Sequence, residues 1–269
     1  MAGKNHIVTT QIEHHAILNA CAALEKLGYE VSYVPVDRQG RVDPETIENT
    51  IRPETGMISV MLANNEAGTI QPISEIAKVA HMHGALMHTD AVQAVGHIPV
   101  DVEALDVDLL SISAHKFYGP KGIGALYIRN GVKMTNLIYG GEQERGLRAG
   151  TENTPAIVGM GKALSLSCAE LEQTAERICA LRNLLEGEIT RRFPNAIVNG
   201  DRENRLQGTL HVTFRGEDTN MLLMRLDMEG IAVSAGSACA AGARERSHVI
   251  RAMRVPEGAD VRFSLGNEN

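Results

Sequence analysis

DVDLLSISAHKFYGPKGIG, residues Asp106 to Gly124, is the stretch from which the fold is read. An apolar run (Val107, Leu109, Leu110, Ile112) ends in Ser113-Ala114-His115-Lys116. A glycine-rich turn follows, and then a second apolar run, Ala125 to Ile128. Short apolar runs bounded by turn residues read as buried strands. Lys116 is therefore expected where a buried strand opens into a loop, the end at which open parallel sheets bind ligands. Partial desolvation there disfavours the ammonium form, and a neutral amine is what Schiff-base chemistry requires.

Upstream, apolar runs alternate with helix-like stretches. Thr10 and Glu13 have capping-box spacing. Ala16, Ile17, Ala20, Leu24 and Leu27 follow at helical intervals, with Gly28 as the stop. Tyr29 to Val36 and Met57 to Leu62 read as strands, with a short helix opening at Asp43-Pro44 between them. Ser74 is expected to cap a helix ending near His83, and Ala85 to Thr89 is the next strand, ending at Asp90. Alternation with short connections predicts βαβ units in a mostly parallel α/β sheet. The strand ends carry Asn65, Asp90 and the Ser113–Lys116 group, which such a sheet brings to one edge.

Composition narrows the function classes. At 269 residues the chain can bury a sizeable core. A net charge of −7 argues against a sequence-independent nucleic-acid binder. No apolar run approaches the ~20 residues of a membrane span. The first residues lack the apolar core of a signal peptide, so a cytoplasmic location is expected. Aromatic content of 3% disfavours base stacking.

The four cysteines, Cys21, Cys168, Cys179 and Cys239, form no C-x-x-C pair. The first three lie in helix-like stretches and are expected to be buried, inert thiols. His81, His83 and His88 suggest a metal cluster only weakly, since residues two apart face different sides of a helix.

The second half differs in texture. GGEQERGLRAGTEN (Gly140 to Asn153) reads as a loop, and Thr154-Pro155 opens a helical stretch long enough to be a bridge or a kinked pair. Short strands at Gly208–Phe214, Gly230–Ser234 and Asp260–Leu265 surround a helix at Asp218–Glu229, with a second helix after Arg244. This predicts a large domain over 1–172 and a smaller α+β domain over 173–269. Within the smaller domain lies SAGSACAAG (Ser234 to Gly242), whose small residues cannot anchor a core. Cys239 there is an exposed thiol with Arg244 and Arg246 close in sequence, a setting that favours the nucleophilic thiolate.

Asp90 and Gln93 stand three apart just past a strand. An aspartate beside a pyridine nitrogen keeps the ring protonated, and the ring then drains electrons from a carbanion. Together with Lys116 this points to pyridoxal phosphate (PLP). His14, at the start of a helix, could stack on the ring or shuttle a proton.

HTDAVQAVG, SISAHKFYGPKGIGALY, ERGLRAGT, SAGSACAAG and VRFSLG resemble the motifs of PLP-dependent cysteine desulfurases, in order along almost the whole chain. The resemblance implies an aminotransferase-like fold (fold type I), with a large PLP domain, a small domain and a homodimer whose sites lie at the subunit interface. Carried over, Lys116 would form the Schiff base and move protons. Asp90 would pair with the ring nitrogen, Gln93 would bond the ring hydroxyl, and His14 would stack on the ring. Asn65 would contact cofactor or substrate, Ser113 and His115 would hold the phosphate, and Thr151 would come from the partner subunit. Arg262 would clamp the substrate carboxylate. Cys239 would take the sulfur of L-cysteine as a persulfide, releasing alanine, and pass it to an iron–sulfur scaffold or another acceptor, with a transient iron–sulfur species held at that residue.

The family has about 80–90 residues ahead of the point matching Met1, including a helix N-terminus that holds PLP phosphate, and a tail beyond Asn269. The chain is therefore expected to be a truncated member that binds PLP weakly or needs a complementing segment. Rival readings are another class V enzyme, such as a selenocysteine lyase or an aminotransferase, and a catalytically dead partner-binding fragment.

Overall fold

The computed structural model describes residues 3–236 and 246–269. Among them, six strands form the larger sheet: β1 (His6–Thr10), β2 (Glu30–Val34), β3 (Thr55–Ser59), β4 (Leu86–Asp90), β5 (Leu109–Ser113) and β6 (Gly124–Ile128). Their order is β2-β1-β3-β4-β5-β6. Every neighbouring pair is parallel except β5 and β6, which run antiparallel. The parallel strands are separated by α1 (His15–Lys26), α2 (Pro44–Glu48), α3 (Ile73–Met82) and α4 (Val102–Leu105).

β1 has no counterpart among the expected strands. It reads HIVTT, and its polar side chains hide its period, yet all five residues are buried. His6 is hydrogen-bonded to Thr55 on β3 (2.7 Å) and Ser32 on β2 (2.9 Å), and Thr9 Oγ1 donates to the Ser59 carbonyl (2.8 Å). Neighbouring strands satisfy what the apolar pattern lacks. A second polar belt crosses the sheet through His88, whose ring bonds Ser59 (2.8 Å) and Ser111 (2.9 Å). Burial lowers the His88 pKa to about 4, so the ring is neutral.

The Thr10–Glu13 contact exists, with Thr10 Oγ1 donating to Glu13 Oε1 at 2.6 Å, but it caps no helix. α1 starts two residues later, capped by His14, whose Nδ1 accepts from the Ala16 amide. The N-cap of α3 is Pro72 rather than Ser74. The long helical stretch is a pair, α5 (Thr154–Ala169) and α6 (Leu171–Arg192), broken at Glu170.

The smaller sheet is antiparallel: β7 (Ala196–Asn199), β8 (Thr209–Phe214) and β9 (Ala259–Ser264), in the order β7-β8-β9. Ile189 of α6 joins Leu210 and Val212 in its apolar core. α7 (Thr219–Met228) lies where a helix is expected, with Asp218 as its N-cap. Gly230–Ser234 forms no strand; only Ser234 makes an isolated bridge, to Arg262. The larger core also takes in Leu206 and, from α8 (His248–Ala252) and the turn after it, Val249, Ile250 and Met253. The cysteine reading needs correction: Cys21 is buried, but Cys168 is exposed and Cys179 is half-buried. Among the described residues no helix is long and apolar enough to cross a membrane.

Candidate active site

Four adjacent parallel strands deliver side chains to one sheet edge. β1 runs into the loop holding His14, β3 runs toward Asn65, β4 ends on Asp90, and β5 ends at Ser113. Beyond Ser113 a 3₁₀ turn, Ala114–Phe117, presents His115 and Lys116. The shared edge follows from parallel pairing, which puts all carboxyl ends on the same side.

Asp90 is 8% exposed, and its Oδ1 accepts from the Val92 amide at 2.9 Å. Burial raises its pKa; the Val92 bond and the charges of His14 and Lys116 pull the other way. Both groups therefore lie near enough to Asp90 for their charge to act on its carboxyl. Gln93 lies half-buried in the turn just past it.

Asn65 is buried, and its Oδ1 has no hydrogen-bond partner among the described residues. Its backbone carbonyl accepts from Arg262 Nη1 at 2.8 Å. Arg262 thus reaches from the small sheet to the loop after β3. Ser234 and Arg262 also exchange both backbone bonds, at 2.6 and 3.2 Å.

The remaining predicted residues are placed less tightly. Ser113 is half-buried and His115 exposed; burial, then the charges of Lys116 and Lys121, lower the His115 pKa. Thr151 is exposed in the loop before α5. Cys239 lies outside the described residues. Of the described residues on either side of that segment, Arg246 pairs with Asp260 (2.6 and 2.9 Å) and Ser247 Oγ donates to buried Glu66 (2.5 Å). Among the described residues no cluster suits a metal ion: His81 bonds Asp106 and Asp108, and His83 bonds Glu48.

Sequence reasoning missed Glu13. Its carboxyl is wholly buried beside His14, and both oxygens lie 3.1 Å from the Met61 amide. Burial raises its pKa to about 8, with repulsion from Asp90 in the same direction. It also missed His97, whose Nε2 donates to the Lys116 carbonyl at 3.0 Å. The available signals were the EHH tripeptide and the turn glycine before His97.

A family model described as Aminotransferase class-V matches residues 1–269. The chain belongs to that family, and its α/β fold is that of the PLP-dependent fold type I proteins. It is 51% identical over 264 residues to a protein named cysteine desulfurase IscS from Dictyoglomus turgidum, covering 97% of this chain and 67% of the relative. A cysteine desulfurase IscS from Clostridium botulinum is 50% identical over 270 residues, covering 98% and 68%. A solved NifS-like protein superposes with a TM-score of 0.92 at 40% identity, covering 100% of this chain and 71% of its own.

The described residues fit PLP. The buried Asn65 Oδ1 without a partner awaits a donor, which a ring hydroxyl or a substrate ammonium supplies. The desolvated Asp90 carboxyl suits a pyridinium N–H, whose charge offsets the cost of burial.

Proposed function

We propose that this chain is a cysteine desulfurase: it takes sulfur from L-cysteine, releases L-alanine, and carries the sulfur on Cys239 for iron–sulfur cluster assembly. The observation that supports the site is that Asp90, His14 and Lys116 stand at one sheet edge, near enough for the charges of His14 and Lys116 to act on Asp90, with Arg262 hydrogen-bonded to the neighbouring Asn65 carbonyl. The relatives' printed name supplies the reaction.

When bound, PLP is an electron sink for charge left at the substrate α-carbon. Asp90 holds the ring nitrogen in its protonated state. Lys116 would hold the cofactor through its amine, and that amine would take the substrate α-proton and return it. Gln93 and Asn65 bond the ring oxygen and substrate, Ser113 and His115 hold phosphate, and His14 lies against the ring. Arg262 receives the substrate carboxylate as a fork, with its position set by the Asn65 carbonyl. The Cys239 thiolate attacks the substrate sulfur; an S–S bond forms as the Cβ–S bond breaks, and the electron pair leaves with the carbon skeleton that becomes alanine.

Residues 1–172 act as the cofactor domain and 173–269 as the small domain, a division supported by the two sheets, although the larger apolar core crosses it through Leu206, Val249, Ile250 and Met253. A homodimer is supported by the exposed apolar run Leu137 (93%), Ile138 and Tyr139 (78%), in the segment leading to Thr151. Thr151 then reaches the phosphate of the partner's site. The sulfur acceptor is an iron–sulfur scaffold or another carrier, and the setting is the cytoplasm. Any iron–sulfur species on Cys239 is cargo in transit and not a resident metal.

Mass spectrometry after incubation with PLP and L-cysteine tests this. The expected result is alanine in solution and one added sulfur on the Cys239 peptide, lost in Cys239→Ala. Alanine formed without sulfur on Cys239 overturns the carrier role. Transamination products instead of alanine overturn the reaction.

A further inference from the structure

We propose that His97 is a positioning residue that sets Lys116 from behind through the peptide carbonyl. This inference rests on the PLP reading above. His97 lies in the turn that follows β4, and its Nε2 is 3.0 Å from the Lys116 carbonyl oxygen. A carbonyl only accepts, so Nε2 carries a hydrogen and donates it. Burial lowers the His97 pKa, which keeps the donor neutral and adds no positive charge beside the lysine.

The approach that allows this bond is built into the sequence. Gly96 has φ +80°, and a Cβ there would stand 2.7 Å from Phe117 Cβ. Only glycine lets the 95–98 turn lie flat against the lysine turn. The lysine turn is held elsewhere by its own backbone: the Ala114 amide donates to Ile123 (3.1 Å), and the Gly119 amide donates to Ala114 (2.8 Å). Ser167 of α5 donates to the Phe117 carbonyl at 3.3 Å, and the Phe117 ring is buried. His97 adds a side-chain contact to the peptide of Lys116 itself. One short segment, Asp90 to His97, thus places both the partner of the ring nitrogen and the backbone of the amine. That segment therefore couples the Lys116 backbone to the carboxyl that would meet the ring nitrogen.

The experiment compares His97→Gln with His97→Met, two side chains of similar size that differ in the hydrogen-bond donor. A cavity of about 180 Å³ bordering His97, Phe117 and Ser167 gives either one room. Hydrogen–deuterium exchange of the peptide spanning residues 113–119 is read first, on the chain without PLP, so that it is independent of any desulfurase activity. His97→Met is expected to exchange several-fold faster in this peptide alone, and His97→Gln to match the parent. With PLP and L-cysteine, His97→Met is expected to lower kcat by about tenfold with KM within about twofold, and to shift the pH at which the visible absorbance of the Lys116–PLP adduct changes; His97→Gln restores both. Equal exchange in all three chains overturns the proposal. So does a His97→Gln chain that behaves like His97→Met, or a His97→Met chain that does not fold, which makes His97 a stability element. Parent protein without desulfurase activity but with the exchange pattern intact leaves the positioning in place and removes the functional reading instead.

Discussion

Arg262 on the small sheet donates through Nη1 to the backbone carbonyl of Asn65, at 2.8 Å, on the loop that follows β3 of the large sheet. A strand from one layer thereby completes an edge built by the other. The bond uses one limb of the guanidinium, and the proposed substrate carboxylate takes another. On the proposed role of Arg262, the position of the small sheet would be coupled to substrate binding.

Arg262→Lys keeps the charge and loses the fork. Charged hydrogen bonds are worth about 1.5–3 kcal/mol each, so KM for L-cysteine is expected to rise by at least about tenfold, with a smaller fall in kcat. Steady-state alanine release measures both. A KM unchanged from the parent assigns the carboxylate to another residue.

Asp90→Asn replaces a buried carboxyl by a neutral isostere. Burial raises the Asp90 pKa, so removing the charge relieves a desolvation cost in the cofactor-free chain. The melting temperature of that chain is expected to hold or rise, while alanine formation falls by at least about a hundredfold, roughly 3 kcal/mol in barrier. Activity near that of the parent means the ring nitrogen needs no anion here.

Glu13 makes stability depend on pH. Its folded pKa is about 8, against an ordinary value of 4.5. Between those values the folded chain binds more protons than the unfolded chain, so stability falls as pH rises through that window. The loss is on the order of a few kcal/mol. Glu13→Gln removes it. Urea midpoints taken at about pH 5, 7 and 8.5 are expected to decline in the parent and to flatten in the variant.

Gly96→Ala forces a Cβ to within 2.7 Å of Phe117 Cβ at a left-handed backbone position. Overpacking and backbone strain cost about 1–3 kcal/mol each. Thermal unfolding should drop by several degrees, and exchange near residues 113–119 should rise along with it. A melting curve superposable on the parent's means the two turns separate without cost.

The sequence by itself determined which residues stand at strand ends. Period, turn glycines and the small-residue run are local properties, and they located Asn65, Asp90, Ser113 and Lys116 and separated the two sheets. They failed where a polar strand is buried. His6, Thr9 and Thr10 carry no apolar period, because their hydrogen-bond partners lie on β2, β3 and the turn before α1. They misread Thr10–Glu13 as a cap because the spacing of a capping box is equally available to a turn leading into a helix. Only the tertiary structure decided the strand order, the antiparallel β6, the reach of Arg262 to Asn65 and the bond from His97 to the Lys116 carbonyl. Each is a contact between segments distant along the chain or between backbone atoms, and such contacts are fixed by how layers pack, which no local pattern of side chains records.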